Sequence, residues 1–472
     1  MKHRPNLIYI FADQLRADSL RSSGNRYART PNINRFVLQS VDFSNAVSST
    51  PVCAPYRASL FTGKYSSGTG MVINELRMNS GHHCFGHVLT EGGYETAYIG
   101  KWHLYADNSN HSDMRNHWVP PGPDRLGFDG YWAAYNFWHR YNEAFYFTDS
   151  ADRIDVDGYE PDVQTDLAIA QIEHLAGGQK PFALFLSYGT VHDPWTRDNV
   201  PEEYYSLYRD TEFSLPESWS DTPDPYMDRF TDPQKWLETV KPEIPDNLRV
   251  YFAMLANLDS NFGRLLRAVG EAGIEDETIV VFTSDHGEMF GAHGRIQKLT
   301  FYDEAARVPF FVRIPAGGGG RKSDVCLGTP DIMPTLLSAL GLPIPAEVEG
   351  SDLSFVLNGA LGTEPEAAFL QGMGHTYQWN DGFEWRALRD KRYTYAVYRV
   401  DGKECLFDNL ADPRQQRNLI DDDGDRLIQE KYRDMVARKM ADLGDTFEAC
   451  TWYGENWIKD RRIVRAAKPF RR

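Results

Sequence analysis

The stretch Leu7-Ile8-Tyr9-Ile10-Phe11-Ala12-Asp13-Gln14 is an unbroken apolar run that stops abruptly at an acid and an amide. Short runs that are apolar at every position have the pattern of strands buried on both faces, as in parallel sheets. The pattern recurs three times. Thr96 to Ile99 leads to Gly100, Lys101 and then His103. Phe182 to Leu186 leads through Ser187-Tyr188-Gly189 to His192, and Ile279 to Thr283 ends at Ser284, Asp285 and His286. Amphipathic segments of helical period lie between these runs, at Asp162 to Leu175 and Asn247 to Ala272. Strand alternating with helix predicts an α/β fold, a mostly parallel central sheet flanked by helices. Ligands of such sheets gather at the carboxyl ends of the strands, and here four strands each deliver polar groups to that end.

The 472 residues exceed what one hydrophobic core usually supports, so a large catalytic domain and a smaller one are expected, dividing as 1–365 and 366–472. With 50 Lys plus Arg against 67 Asp plus Glu, the formal net charge is -17, which argues against nucleic acid and anionic membrane surfaces as partners. It leaves room for a small anionic substrate in a locally basic pocket. The first apolar run is too short for a signal-peptide core and meets Asp13 at once, and no stretch has the length of a membrane helix. The expected location is therefore cytoplasmic. Five widely spaced cysteines, Cys53, Cys84, Cys326, Cys405 and Cys450, make neither a disulfide framework nor a zinc site.

Two long segments show no period. Tyr105 to Gly158 is rich in aromatics and Thr196 to Asp246 in proline and acid; each reads equally as a lid or rim of the site and as a satellite packing cluster. Gly317 to Gly320 is a flexible turn without phosphate-loop spacing. A helix is predicted from Asp331 to Leu340. Glu384 to Val400 then alternates apolar and polar residues before an Asp401-Gly402 turn, and a helix runs from about Asp425 to Leu443. This C-terminal part is predicted to be a small α+β domain with an antiparallel sheet. Asp421-Asp422-Asp423 is read as a solvated helix entry and the basic stretch Lys459 to Arg472 as a surface tail.

The most specific signal is Cys53-Ala54-Pro55-Tyr56-Arg57-Ala58-Ser59-Leu60-Phe61-Thr62-Gly63. A helix opening near Cys53 favours anions at its N-terminus, and Arg57, one turn on, points back toward Cys53 with a guanidinium suited to paired hydrogen bonds. The segment resembles the C-x-P-x-R-x4-T-G signature of type I sulfatases, a family with the alkaline-phosphatase-like α/β fold. Gly100-Lys101-Trp102-His103 is similar to that family's G-K-W-H segment and His192-Asp193-Pro194 to its H-x-P. Asp13-Gln14 and Asp285-His286 resemble its metal-binding strand ends. Two positions depart from the usual pattern: Gln14 stands in place of a second aspartate and His286 in place of asparagine. The resemblance covers roughly residues 5 to 315 and extends weakly through Leu406 to Pro413.

The resemblance implies that Cys53 is oxidised by a formylglycine-generating maturation enzyme, and that an oxygen of the hydrated aldehyde attacks sulfur. It places Asp13, Gln14, Cys53, Asp285 and His286 around one divalent cation, with Ca2+ first and Mg2+ or Mn2+ as alternatives, since imidazole widens the choice. Arg57 and Lys101 would hold the sulfate, and His103 would hold or deprotonate the second hydroxyl of the nucleophile. His192 and Lys298 would assist the departing oxygen. As residues two apart on a strand, Lys101 and His103 would face the same way. His293 would line the site or shape its loop. Trp118, Trp138 and Trp379 could stack on a sugar, and Arg115, His139, Arg140 and His375 could bind its polar groups. The expected activity is thus hydrolysis of a sulfate monoester on a small saccharide. The alternatives are a phosphonate monoester or phosphodiester hydrolase of the same superfamily, and a non-catalytic binder of sulfated glycans. Oligomeric state has no signature in the sequence.

Overall fold

The computed structural model describes residues 4–470 except 109, 111, 228, 230, 316–318, 423 and 425. Eight strands form the central sheet: β1 Asn6–Ala12, β2 Val41–Val47, β3 Glu95–Lys101, β4 Tyr131–Tyr135, β5 Phe182–Ser187, β6 Thr278–Ser284, β7 Phe310–Arg313 and β8 Arg321–Gly328. Their order is β8-β2-β7-β6-β1-β5-β3-β4. Only β7 runs antiparallel to its neighbours β2 and β6. β1 lies at the centre between β5 and β6, and all seven of its residues are buried. Its alternate side chains feed two cores: Leu7, Tyr9 and Phe11 face one side, Ile8, Ile10 and Ala12 the other. Both faces being covered explains why the run is apolar throughout.

Register then fixes the site. Phe11 pairs with Ser187 and Thr283, Ala12 with Ser284, and Gly100 with Ser187. The residues that follow these pairs therefore emerge side by side at one edge. Gly100 has φ +99°, and a Cβ there would sit 2.0 Å from the Ser187 carbonyl oxygen, so β3 and β5 can close up only around glycine. Helix α1, Cys53–Thr62, packs with all ten residues buried and ends at Gly63 in the left-handed conformation, φ +65°. Helices α2, Glu160–Ala176, and α3, Lys241–Glu271, cover the opposite face.

A second sheet is antiparallel, with strands β9 Ala368–Gly372, β10 Trp385–Arg389, β11 Tyr393–Tyr398 and β12 Glu404–Asp408 in that order. The Asp401-Gly402 turn joins β11 to β12. Helix α4, Thr329–Ala339, packs against α1 in the main core, α5, Arg426–Leu443, packs on the antiparallel sheet, and α6, Cys450–Trp457, joins the main core. The α/β and α+β expectations both hold. No helix among the described residues is long and apolar enough to cross a membrane, and all five cysteines are free and buried.

Several local readings are corrected. Tyr105 to Gly158 is not wholly irregular: Tyr131–Tyr135 is the edge strand β4, hidden in an aromatic-rich stretch. The second insertion ends earlier than read, because α3 begins at Lys241 and accommodates Pro242 and Pro245 near its start. The basic C-terminal stretch is docked. Strands β13, Ile458–Lys459, and β14, Arg462–Ile463, form a hairpin whose Ile463 is buried. Arg77 donates its N–H to Arg461 O and accepts from Ile463 N, and Ala467 N donates to Ser67 O. Gly317 and Gly318 of the glycine turn and Asp423 and Asp425 of the helix entry lie outside the described residues.

Candidate active site

Cys53 opens α1 with no exposure, directly beyond the ends of β1 and β6. Its sulfur lies 3.2 Å from His286 Nε2, 3.3 Å from Lys298 Nζ and 3.7 Å from Asp13 Oδ1. Burial works to raise this thiol, but Lys101, Lys298 and His286 outweigh it and bring it well below its ordinary value. His103 acts in the same direction. The thiol therefore marks a point where negative charge is favoured, as a nucleophile requires.

Asp13, Cys53, Asp285 and His286 are all buried, with one ligand atom from each lying within 4.8 Å of the others. Gln14 N and His286 N both donate to Asp285 Oδ1, at 3.1 and 2.9 Å, while Asp285 Oδ2 has no hydrogen-bond partner. His286 Nδ1 lies 2.9 Å from Gly287 O, which turns Nε2 toward the cluster. Burial opposes a proton on His286, yet Asp285 raises its pKa; the potential that favours a proton there also favours a cation. An open carboxylate oxygen, a second carboxylate and an oriented imidazole fit a divalent ion with mixed oxygen and nitrogen ligands. Gln14 Nε2 donates to Glu288, and its Oε1 accepts from Lys298 at 3.4 Å.

Positive charge balances the cluster from behind. Lys101 Nζ is 2.5 Å from Asp13 Oδ2 and 2.9 Å from His139 Nε2. Burial pushes His139 well below its usual range, with His192 and Lys101 adding to the effect, so it accepts from Lys101 as a neutral ring. Burial and Cys53 work to raise Asp13, but Lys101, His192 and His286 hold its carboxyl at about 2. Arg57 does not turn to Cys53 as the helical spacing suggested. Its Nη1 donates to Lys101 O at 2.6 Å and Ser187 Oγ at 2.7 Å, and its Nη2 lies 3.5 Å from both Asp13 and Asp285. It braces the two carboxylates beneath the pocket.

On the open side, Lys298 Nζ is 2.7 Å from His192 Nε2. His192 Nδ1 lies 2.8 Å from Asp193 O and its ring packs against that of His139 at 3.9 Å. Burial disfavours the Lys298 charge, but Cys53, Asp13 and Asp193 raise its pKa, so the ammonium persists. His103 does not follow Lys101 along a strand: β3 ends at Lys101, and His103 has φ +56°. That turn sends it to Glu75 Oε1 at 3.0 Å and still within reach of Cys53.

A pocket of about 670 Å3 stands over these groups, lined by Cys53, His192, Lys298, His139, Glu75 and Trp379 among others. Of the four residues expected to bind the sugar, only His139 lines it. Arg115 is paired with Asp113 and Arg140 with Glu143, both at the surface. Buried His375 instead accepts from Tyr377 N and Gln378 N at 3.3 and 3.2 Å, shaping the loop that reaches the pocket. Trp118 and Trp138 pack with Phe145 in a separate apolar cluster. His293 shapes its loop, stacked on Tyr302 at 3.9 Å. Sequence reasoning missed Ser187 and Glu75. A serine closing a buried strand was a signal for the first; nothing in the sequence marked the second.

The family model described as Sulfatase matches residues 5–342, and that of the N-sulphoglucosamine sulphohydrolase C-terminal region matches 291–442. An ulvan-active sulfatase of Formosa agariphila is 34% identical over 462 residues, covering 95% of this chain and 84% of that protein. An endo-4-O-sulfatase of Bacteroides thetaiotaomicron is 28% identical, covering 97% and 95%. The solved structure of the sulfatase yidJ from Bacteroides fragilis superposes with a TM-score of 0.82 at 29% identity, covering 95% and 97%. This chain belongs to the sulfatase family, type I, of the alkaline phosphatase superfamily. Members of the family are sulfuric ester hydrolases.

Proposed function

We propose that the protein hydrolyses a sulfate monoester of a small saccharide with a nucleophile derived from Cys53. The supporting observation is the setting of that side chain: the first residue of a buried helix, with Lys298, His286 and Asp13 within 3.3, 3.2 and 3.7 Å of its sulfur. Oxidised to formylglycine by a maturation enzyme and hydrated, this position supplies an oxygen nucleophile. Asp13, Asp285 and His286, with Gln14 beside them, would hold a divalent cation, Ca2+ by preference, which offsets charge on the sulfate. Arg57 keeps the two carboxylates in place, and Lys101 and Lys298 add positive charge where the ester's oxygens develop negative charge. Lys298 donates a proton to the departing alcohol oxygen, and His192, in contact with Lys298 Nζ, replaces it. His103, oriented by Glu75, would take the proton of the second hydroxyl, whose oxygen becomes the aldehyde oxygen again as the carbon–oxygen bond to sulfate breaks.

The relatives named for ulvan and for an endo-4-O position favour a sulfated carbohydrate over an aryl ester. A cytoplasmic enzyme would act on an imported mono- or disaccharide, and the chain would divide near residue 365. The test is a panel of sulfated mono- and disaccharides scored for sulfate release, with 4-nitrophenyl sulfate and an aryl phosphonate alongside. Mass spectrometry of the Cys53 peptide accompanies it. Release confined to sulfates, by protein whose Cys53 has become an aldehyde, supports the reading. Full turnover with an intact thiol, or preference for the phosphonate, overturns it.

A further inference from the structure

The acids that line the pocket among the described residues are already engaged. Glu75 holds His103, and Asp193 Oδ1 is 3.2 Å from His192 Nδ1. Two arginines that line the same pocket are not. Arg229 and Arg461 form no ion pair with a carboxylate among the described residues. Arg461 spends one N–H, donating from Nη1 to Glu75 O at 2.8 Å, and its Nε and Nη2 have no protein acceptor among those residues. Arg229 lies across the Tyr377 ring at 5.7 Å. In a chain with an excess of acid, two guanidinia on one cavity without a carboxylate partner among the described residues are conspicuous.

Arg461 is also held in place. It sits at the turn between β13 and β14, where Asp460 and Arg461 take φ +49° and +61°. Side chains other than glycine keep that conformation only when the surroundings impose it. Arg77 supplies the constraint through backbone bonds to Arg461 O and from Ile463 N, on either side of Arg462. Arg461 lines the same pocket as Cys53, and Glu75 bonds both to Arg461 and to His103. An anion at Arg461 therefore belongs to the sugar that carries the reacting ester, or to the ring beside it.

We propose that Arg461 and Arg229 form a second anion subsite, which binds a further acidic group, carboxylate or sulfate, on the saccharide whose sulfate ester lies at Cys53. This rests on the sulfatase reading above. A planar guanidinium matches either group through two parallel hydrogen bonds. Tyr377 and Trp379, on the same wall, offer flat faces to the ring between the two anions.

Three disaccharides with one scissile sulfate test it: one beside a uronate, one beside a second sulfate and one beside a neutral hexose. For the wild type, kcat/KM should favour at least one acidic disaccharide over the neutral one by about tenfold or more. The favoured acid identifies the group. Arg461→Ala and Arg229→Ala should each lose most of that ratio through KM, and lose about threefold or less on 4-nitrophenyl sulfate. Equal kcat/KM on all three disaccharides overturns the proposal, as does a uniform loss across every substrate. Calorimetry on Cys53→Ser protein reads the subsite without turnover. An acidic preference that disappears with Arg461→Ala in that background supports it, and equal affinities overturn it. Selective binding with no sulfate release by wild-type protein would overturn the sulfatase reading and leave the subsite standing.

Discussion

Two clusters of charge are buried in this protein, and they are finished differently. Behind the antiparallel sheet, Arg386 meets Asp445 through two bonds of 2.5 and 2.7 Å, while Nη1 donates to Gly372 O and Trp385 O and Nη2 also reaches Tyr453. Every nitrogen of the guanidinium is satisfied. Around Cys53 the accounts stay open: Arg57 Nε and Nη2 and Asp285 Oδ2 have no hydrogen-bond partner. A buried charge without full pairing costs several kcal/mol, so a fold keeps one only where something else completes it. The closed cluster holds the C-terminal half together. The open one is shaped around what it binds and transforms.

The sharpest attempt to break this contrast is Cys53→Ala. Sulfate release should fall by about 10⁴-fold or more, with the circular dichroism spectrum retained. Residual turnover within tenfold of wild type would move the chemistry elsewhere. Lys298→Ala should lower kcat by about 10²- to 10³-fold on alkyl sulfates and less on aryl sulfates, whose leaving groups need no proton. An equal loss on both would remove Lys298 from that role.

Arg386→Ala addresses the closed cluster and should cost about 3–5 kcal/mol in urea unfolding, because Asp445 is left buried and unpaired. Burial works against the Asp445 charge, but Arg386 outweighs it and lowers its pKa. The pair's stabilisation is therefore complete above the usual carboxylate range and is lost as pH falls through the folded value. The Arg386→Ala penalty should shrink below about pH 4. A penalty independent of pH would locate the cost in lost packing instead. The smallest effect belongs to the surface pairs. Arg115→Ala and Arg140→Ala should match wild type in Tm and turnover, and a selective loss of saccharide turnover would return them to the substrate.

What the sequence disclosed follows from where the chemistry sits. Asp13, Asp285 and Lys101 close or follow strands whose interiors are short apolar runs, so their polarity stood out. The Cys53 helix was legible because five residues keep a fixed spacing. Val41–Val47 and Tyr131–Tyr135 were not found, since polar residues break the first and an aromatic insertion camouflages the second. Arg229 and Arg461 escaped for a different reason. A single arginine in an insertion or a tail looks like any solvated charge until the chain folds it against a pocket. Arg115 and Arg140 are the converse, chosen from an aromatic stretch that in fact keeps them at the surface.

The docked hairpin has a consequence in time. Arg461 is made about 400 residues after Cys53, which at roughly 5–20 residues per second is an interval of about 20–80 s. Throughout synthesis the early cysteine waits in an unfinished fold; afterwards it is 0% exposed. The maturation proposed for Cys53 would thus work against a clock set by translation and by the last hairpin's closure. Substitutions that loosen that hairpin would lengthen the opportunity, and those that hasten folding would leave more molecules with an unaltered thiol.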